Sequence, residues 1–410
     1  MKRPQMTIFA SLVLSLIVLF HVPVTPAFVD NRFATQTKLT QPIPGFGAAV
    51  DIDGDTAAIS GYGFIFSDFP DPTVYLYRKE GTTWTLKQSL IAQGDPQASF
   101  GFSVALSGNT LVVGAPGDNT AGSSAGAAYV YVRDGDTWSL QQKLIASDAA
   151  NFAQFGISVD ITGDTIVVGA HGDDDSGYQT GAAYVYHRDG VTWTEQQKLK
   201  ASDEAPESAF GLSVSINGQT IAVGSPSQAS GVFNSGAVYV FVNNGGSWQQ
   251  QQKIKANITQ ENQQLGSSVG ISGDTIVATA PGEIVGVPSN NAQNVHSHGA
   301  AYVFQRSGTS WVQSKRFYER DTNRTGGFAT TAAIDGDTII IGDPTYDSAT
   351  ADFAGAVYAY VRNGSGWSLK YTLTANDAQF LDTLGFSAIA ISGDSVIAGV
   401  HHRGAAYIFQ

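Results

Sequence analysis

A few groups of residues in this 410-residue chain have types and spacings that do chemistry. Asp173-Asp174-Asp175 sets three carboxylates in a row beside Gly172 and Ser176. Hard oxygens of that kind suit calcium, which takes about six to eight of them, and they suit a solvated acidic loop as well. His296 and His298, with His401 and His402, are imidazoles that a softer metal would take if the fold brought them together. Tyr62, Phe64, Phe66 and Phe69 form an aromatic stretch. Such rings stack on a sugar or anchor a protein when exposed, and otherwise cover a core. Two stretches, Gly122-Ser123-Ser124-Ala125-Gly126 and Gly266-Ser267-Ser268-Val269-Gly270, have the G-x-S-x-G spacing of a serine nucleophile. That chemistry needs a sharp strand-to-helix elbow. There is no HExxH zinc helix and no Gly-Lys-Ser/Thr phosphate loop.

What must position these groups is a repeat. A unit begins at Phe46, Phe100, Phe155, Phe210, Leu265, Phe328 and Leu384, seven in all. Each unit reads as four strands. Strand A is the FGxSV segment, and strand B is a β-branched run such as Thr165-Ile166-Val167-Val168. Strand C is a Tyr/Val run such as Ala128-Tyr129-Val130-Tyr131-Val132, and strand D follows a tryptophan, as in Trp138-Ser139-Leu140-Gln141-Gln142-Lys143-Leu144. Several of these runs are apolar on both alternating faces, as a sheet sandwiched between sheets requires. Strands A and B join through Gly-centred turns from Gly54-Asp55 to Gly393-Asp394. No segment beyond the N-terminal apolar run shows sustained helical periodicity. The expected fold is therefore all-β, a seven-bladed β-propeller of four-stranded antiparallel blades.

The tryptophans, Trp84, Trp138, Trp193, Trp248, Trp311 and Trp367, number six against seven units. The last unit stops after its strand C, Gly404-Ala405-Ala406-Tyr407-Ile408-Phe409. Its strand D is expected from the other end, where Gln36-Thr37-Lys38-Leu39 resembles Gln141-Gln142-Lys143-Leu144. An N-terminal strand completing the last blade would close the ring and remove an exposed sheet edge.

Antiparallel strands put the short A–B and C–D turns at one end of each blade. The long, variable B–C and D–A loops fall at the other. The aromatic stretch, the triple aspartate and the histidines all lie on loops of that second end, where recognition is usually built. Ser268 shares the FGxSV position of Ser103, Ser158, Ser213 and Ser387, so it belongs to the repeat, and Ser124 lies in a Gly-rich loop. The Asp of Ala-Ser-Asp and Ala-Asn-Asp (Asp148, Asp203, Asp377) also recurs, and it is expected to bond loop backbone.

These residues give the chain a resemblance to FG-GAP repeat proteins, the family that includes the propeller of integrin α subunits. The FG half is Phe46-Gly47, Phe100-Gly101, Phe155-Gly156 and Phe210-Gly211; the GAP half is Gly114-Ala115-Pro116, with variants such as Gly224-Ser225-Pro226. The resemblance runs from about Gln36 to Gln410 and implies a partner-binding loop face. Integrin-type repeats carry Asp-rich calcium loops between strands A and B. Here that connection has shrunk to a tight turn, Asp51-Ile52-Asp53-Gly54-Asp55 being the nearest remnant, so the calcium sites are not carried over. No cofactor or metal is assigned.

Composition narrows the partner. Lys2 and Arg3, the apolar run from Ile8 to Phe20, and Thr25-Pro26-Ala27 read as a signal peptide over residues 1–27, with the propeller over 28–410. No later segment approaches the ~20 apolar residues of a membrane span. Without Lys2 and Arg3 the chain carries 20 basic and 35 acidic side chains, which argues against nucleic acid. The absence of cysteine rules out disulfides and thiolate metal sites. The expectation is a secreted, periplasmic or cell-surface scaffold without catalysis that binds a protein partner through the long-loop face. A lectin-like propeller is the alternative, and a carbohydrate-active enzyme the third reading.

Overall fold

Each strand B is buried on nearly every side chain. In Thr110–Ala115, Thr220–Ser225 and Thr275–Ala280 nothing is exposed. Such a run needs cover on both faces, and the chain provides it by standing its sheets side by side. The computed structural model describes residues 32–43, 45–61, 71–92, 98–285, 298–319, 326–364 and 366–410. From Phe33 onward these form one unit of seven four-stranded antiparallel sheets. Within each sheet the order is A, B, C, D, as in blade 3: Ser158–Thr162, Thr165–Ala170, Ala182–Asp189 and Thr192–Leu199. The A strands of successive blades pack on one another all the way round, blade 7 against blade 1 included. The segment 1–27 lies outside the described residues. No described helix is long and apolar enough to cross a membrane.

The strand Gln36–Thr40 is the fourth strand of blade 7. It pairs antiparallel with Ala405–Phe409, from Gln36 opposite Phe409 to Thr40 opposite Ala405. In the other blades the C–D pairing carries a β-bulge, for example between Val130 and Tyr131. Here it is unbroken. Lys38 and Leu39 therefore stand where Lys143 and Leu144 do, but Gln36 takes the register of Glu195 (opposite Tyr186), one bulged residue having been dropped. It also does the same work. Glu195 accepts the Ser147 N–H of the preceding blade, and Gln36 accepts the Asn376 N–H.

The blades are joined by side chains that the repeat keeps in register. The second glutamine of each Gln-Gln-Lys accepts the backbone N–H of the next blade's tryptophan and donates to its carbonyl. Gln142 holds Trp193 this way at 2.8 and 2.7 Å. Gln197 holds Trp248, and Gln252 holds Trp311. The first glutamine takes the indole N–H, as Gln141 does from Trp193. At the closing joint Gln410 accepts the Trp84 indole instead.

The FG and GAP glycines are the two sides of one contact. Gly156 has φ +92°, and a Cβ there would lie 2.3 Å from the Ala127 carbonyl oxygen. A Cβ on Gly114 would lie 2.1 Å from the Gly156 carbonyl oxygen. Side chains at these points would push blade 3 off blade 2. The FGxSV serines fasten the same seam, since Ser103 donates to Gly156 O and Ser158 to Gly211 O. Their hydroxyls serve inter-blade packing, which accounts for Ser268 as well, bonded to Ala332.

Candidate functional site

The loop end of each blade is built on a buried tyrosine. Tyr129, Tyr184, Tyr239 and Tyr407 are each the third residue of strand C, and each faces a strand-D lysine: Lys143, Lys198, Lys253 and Lys38. The ammonium lies 5.1–5.7 Å from the ring centre. A carboxylate completes each set. Asp118 takes the Tyr129 hydroxyl at 2.7 Å and Lys143 at 2.7 Å. In blade 5 the set is Tyr302, Glu283 and Arg316. Asp148, Asp203 and Asp377 belong to it too. Rather than bonding loop backbone alone, as their recurrence suggested, they cross to the next blade. Asp148 reaches Tyr184 and Lys198, Asp203 reaches Tyr239 and Lys253, and Asp377 reaches Tyr407 and Lys38. The strand-D lysine brings the acceptor a positive charge that a neutral backbone N–H lacks, and charge-assisted bonds are the stronger.

Blade 3 carries the most charge. Asp173 is 2 % exposed and accepts from Tyr184 at 2.9 Å and Lys198 at 2.8 Å. Asp175 binds Lys198 at 2.9 Å and also Lys200. Asp174 is exposed. Burial raises the Asp173 carboxyl above its ordinary value, with Lys198 opposing. Burial would raise Asp175 too, but Lys200 and Lys198 outweigh it and hold that carboxyl well below the usual range. For Lys198, burial favours the neutral amine, and the surrounding carboxylates win and raise it. The triple aspartate is thus mostly neutralised from within.

The remaining singled-out residues are scattered. His298 is 6 % exposed, with its N–H on the Glu283 carbonyl. His401 and His402 lie in a 3-10 turn, His401–Arg403, and His402 is exposed. Tyr62, Phe64, Phe66, Phe69 and His296 lie outside the described residues. Among the described residues no three or more His, Asp or Glu side chains are grouped to hold a metal ion. Asp51 and Asp53 accept the Leu106 and Gly108 N–H groups of blade 2, each at 2.6 Å, and Asp55 binds Arg78. All three are committed to the frame.

Residues that had not stood out do share the loop face. Phe152, Tyr178, Phe233 and Phe380 are 61–64 % exposed. Tyr178 and Phe233 occupy one position in the B–C loops of blades 3 and 4, three residues before Gly181 and Gly236. Phe152 precedes Phe155 of the FG pair by three, and its N–H bonds the Ser123 carbonyl of blade 2. Phe380 packs edge-on against Phe353 with centroids 6.4 Å apart. Phe102, Tyr318 and Phe386, the other exposed aromatics among the described residues, also lie at the loop end. The signal was present as large apolar residues inserted where the repeat has Ser, Glu or Asn.

The opposite face differs. Its arginines stack on tryptophans and bind their own turns. Arg188 covers Trp193, pairs with Asp164 and reaches Thr110 of blade 2. Arg133 and Arg362 repeat this with Thr56 and Thr275. Between the faces runs a central cavity of about 490 Å³, lined by the A strands of all seven blades. Asp51 and Asp160 lie along it, each bonded to backbone N–H of the next blade.

With seven blades, a closing strand and the FG and GAP seams in place, the fold is an integrin-α-like propeller. The FG-GAP repeat model matches residues 84–131, 138–186, 193–241 and 248–304, and the chain belongs to that family. Each match runs from strand D of one blade to strand C of the next, the same one-strand offset that leaves Gln36–Thr40 to complete blade 7. Comparison with curated proteins gives no match.

Proposed function

We propose that this chain is an exported, non-catalytic scaffold that binds a protein partner through its B–C and D–A loops. One observation carries the reading: the exposed aromatic side chains of the described residues all lie at the loop end of the ring. Exposed aromatic groups of this kind mark interaction surfaces, and aromatic residues dominate binding energy where they are found. Support for export comes from the order of basic, apolar and proline-broken segments in residues 2–26 and from the family, whose propellers are typically extracellular. Of the two serines at hydrolase spacing, Ser268 bonds the Ala332 carbonyl across an inter-blade seam and Ser124 lies in a loop.

A carbohydrate ligand is the second reading. It is favoured by Tyr178, an exposed ring whose own carbonyl accepts the Glu207 N–H and whose loop also carries the exposed Asp174. Rings flanked by carboxylates suit sugars as well as proteins.

The test uses one panel of extracellular protein domains and one glycan array, each run with calcium and with chelator. The chain from Phe28 is compared with a variant carrying Phe152→Ser, Tyr178→Ser, Phe233→Ser and Phe380→Ser. These positions are exposed, so the variant is expected to melt within about 2 °C of the parent. Its affinity for the recovered binder is expected to fall at least ~30-fold, as when two or more anchoring side chains are lost. Unchanged affinity would reject the loop-face reading, and binders found only on the glycan array would favour the second reading over the first.

A further inference from the structure

Blade 4 repeats the charged loop of blade 3 with three acids missing. The two loops have the same length, so each position has its counterpart. Lys253 and Lys255 stand where Lys198 and Lys200 do, and Asp203 stands where Asp148 does. Gln228, Ala229 and Ser230 replace Asp173, Asp174 and Asp175. In blade 3, Asp175 bridges the two lysines, 2.9 Å from Lys198 and in direct contact with Lys200. Its side chain is 44 % exposed, so the place it fills opens to solvent.

In blade 4 the same two bases have no bridging acid. Lys253 bonds Asp203 at 2.6 Å, which takes one of its three N–H bonds. Lys255 is exposed and reaches the Ser230 carbonyl at 3.5 Å. Among the described lysines and arginines of the loop end, it is the one that makes no ion pair. Two polar atoms beside these bases are unmatched as well. Gln228 is 3 % exposed, and its Oε1 is buried without a hydrogen-bond partner. The Ser230 hydroxyl is buried and unpartnered too. Buried polar groups are normally bonded, and leaving one unbonded costs stability.

We propose that blade 4 holds a carboxylate-binding site, which takes an Asp or Glu side chain of the protein partner in the place that Asp175 fills in blade 3; the assignment rests on the loop-face reading. An ionised carboxylate offers about four lone-pair sites. Lys253, Lys255 and the Ser230 hydroxyl are donors for them, and charge-assisted bonds are the strong ones. A half-turn of the Gln228 amide exchanges its oxygen for an N–H and adds a donor. That turn gives up one long bond, 3.4 Å, to the Asp203 carbonyl. Phe233 and Ile258, three residues on from Ser230 and Lys255, are exposed in the same two loops. They suit a peptide in which apolar residues adjoin the acid, whereas a sugar acid carries hydroxyl groups there. The chain as a whole has a net charge of −13 and repels acids, so capture of an acidic group reports a local site.

The probe is an array of peptides in which Glu alternates with an apolar residue, each paired with a copy carrying Gln for Glu. The parent is expected to bind at least one Glu peptide ~10-fold more tightly than its Gln copy, and to lose that margin as salt is raised. Lys255→Gln is expected to weaken the Glu peptide ~10-fold. Ser230→Asp is expected to weaken it at least as much, because its own carboxylate then fills the place, and to melt no lower than the parent. Lys370→Gln, which removes an exposed charge from the outer strand of blade 6, is expected to change nothing. Glu peptides that bind no better than their Gln copies would overturn the proposal. So would full binding by Ser230→Asp, an equal loss in Lys370→Gln, or capture of acidic glycans in place of any peptide. The four-ring variant separates the two readings. Glu-peptide binding that survives it but not Ser230→Asp would keep this site and reject the aromatic face. Panel binders lost with the rings but untouched by Ser230→Asp would do the reverse.

Discussion

A chain lacking residues 34–40 is expected to melt about 10 °C lower than the parent and to aggregate as it does so. The segment supplies the outer strand of blade 7. Without it the backbone of Ala405–Phe409 becomes an open edge, a template for other chains. Leu39, 6 % exposed, would leave the cluster it forms with Phe46, Ile397 and Ile408. Loss of a buried leucine costs ~2–5 kcal/mol. Lys38 would abandon Asp377, and Thr35 would abandon both backbone bonds to Gln410. Together these losses are roughly 5 kcal/mol, and for a chain of this size each kcal/mol shifts the midpoint by ~2 °C. A synthetic peptide of residues 33–41 added in excess is expected to recover most of the lost temperature by re-forming the strand. An unchanged melting curve for the deletion would show that blade 7 does not rely on this strand.

The second large effect is a dependence on pH set in the central cavity. Burial pushes the Asp51 carboxyl up to about 8, against the Leu106 and Ile52 N–H groups, with the charges of Asp160 and Asp53 adding to the rise. Asp160 is pushed up to about 6, again chiefly by burial. A raised carboxyl keeps its proton in the folded state after the unfolded chain has lost it. Its cost is absent below the unfolded value of 3.8, grows as pH rises, and is complete above about 8 for Asp51. The full shift would correspond to ~6 kcal/mol, and partial contact with the cavity reduces this to roughly 3 kcal/mol. On the acid side, Asp55, Asp136, Asp148, Asp203 and Asp377 are held below their ordinary values by partners that outweigh burial. Their contribution is lost as pH falls through those lowered values. The melting temperature is expected to peak near pH 4 and to fall by ~5 °C towards pH 9.

Blade 4 suggests the variant that removes this slope. Ser215 stands in the ring position of Asp51 and accepts the Ile271 N–H at 3.3 Å, as Asp51 accepts that of Leu106. Asp51→Ser is expected to melt higher than the parent at pH 8.5 and to show a flatter profile between pH 5 and 9. A profile as steep as the parent's would place the titrating group elsewhere.

The fold was legible because the repeat is redundant. One Phe-Gly pair says little, but a tryptophan, a Gly turn and a Tyr/Val run at fixed offsets in several units leave one architecture. The missing seventh tryptophan and the Gln-Thr-Lys-Leu near the start even disclosed the closing strand. Its dropped bulge was not legible, because a bulge is a matter of register against a partner strand. The recurring aspartates show the limit from the other side. Asp148 reads locally as a loop residue, yet its partners are Tyr184 and Lys198, 36 and 50 positions on, joined only when blades stand side by side. The triple aspartate drew notice for its density of charge, and neither Lys198, in an ordinary Gln-Gln-Lys run, nor Lys200, just past the end of that strand, announced that they would neutralise it. Phe152, Tyr178 and Phe233 escaped notice for the opposite reason. Apolar residues are expected inside, and only exposure in the folded ring makes them candidates for binding.

The central claim is that recognition belongs to the loop face. Hydrogen exchange of the whole chain, with and without a binder recovered from the panel, tests it most directly. Protection is expected at the loops 119–125, 174–180, 229–235 and 377–383, with the Gly-Asp and Arg-bearing turns of the opposite face unchanged. Protection confined to those turns, or to the cavity-lining strands, would contradict it.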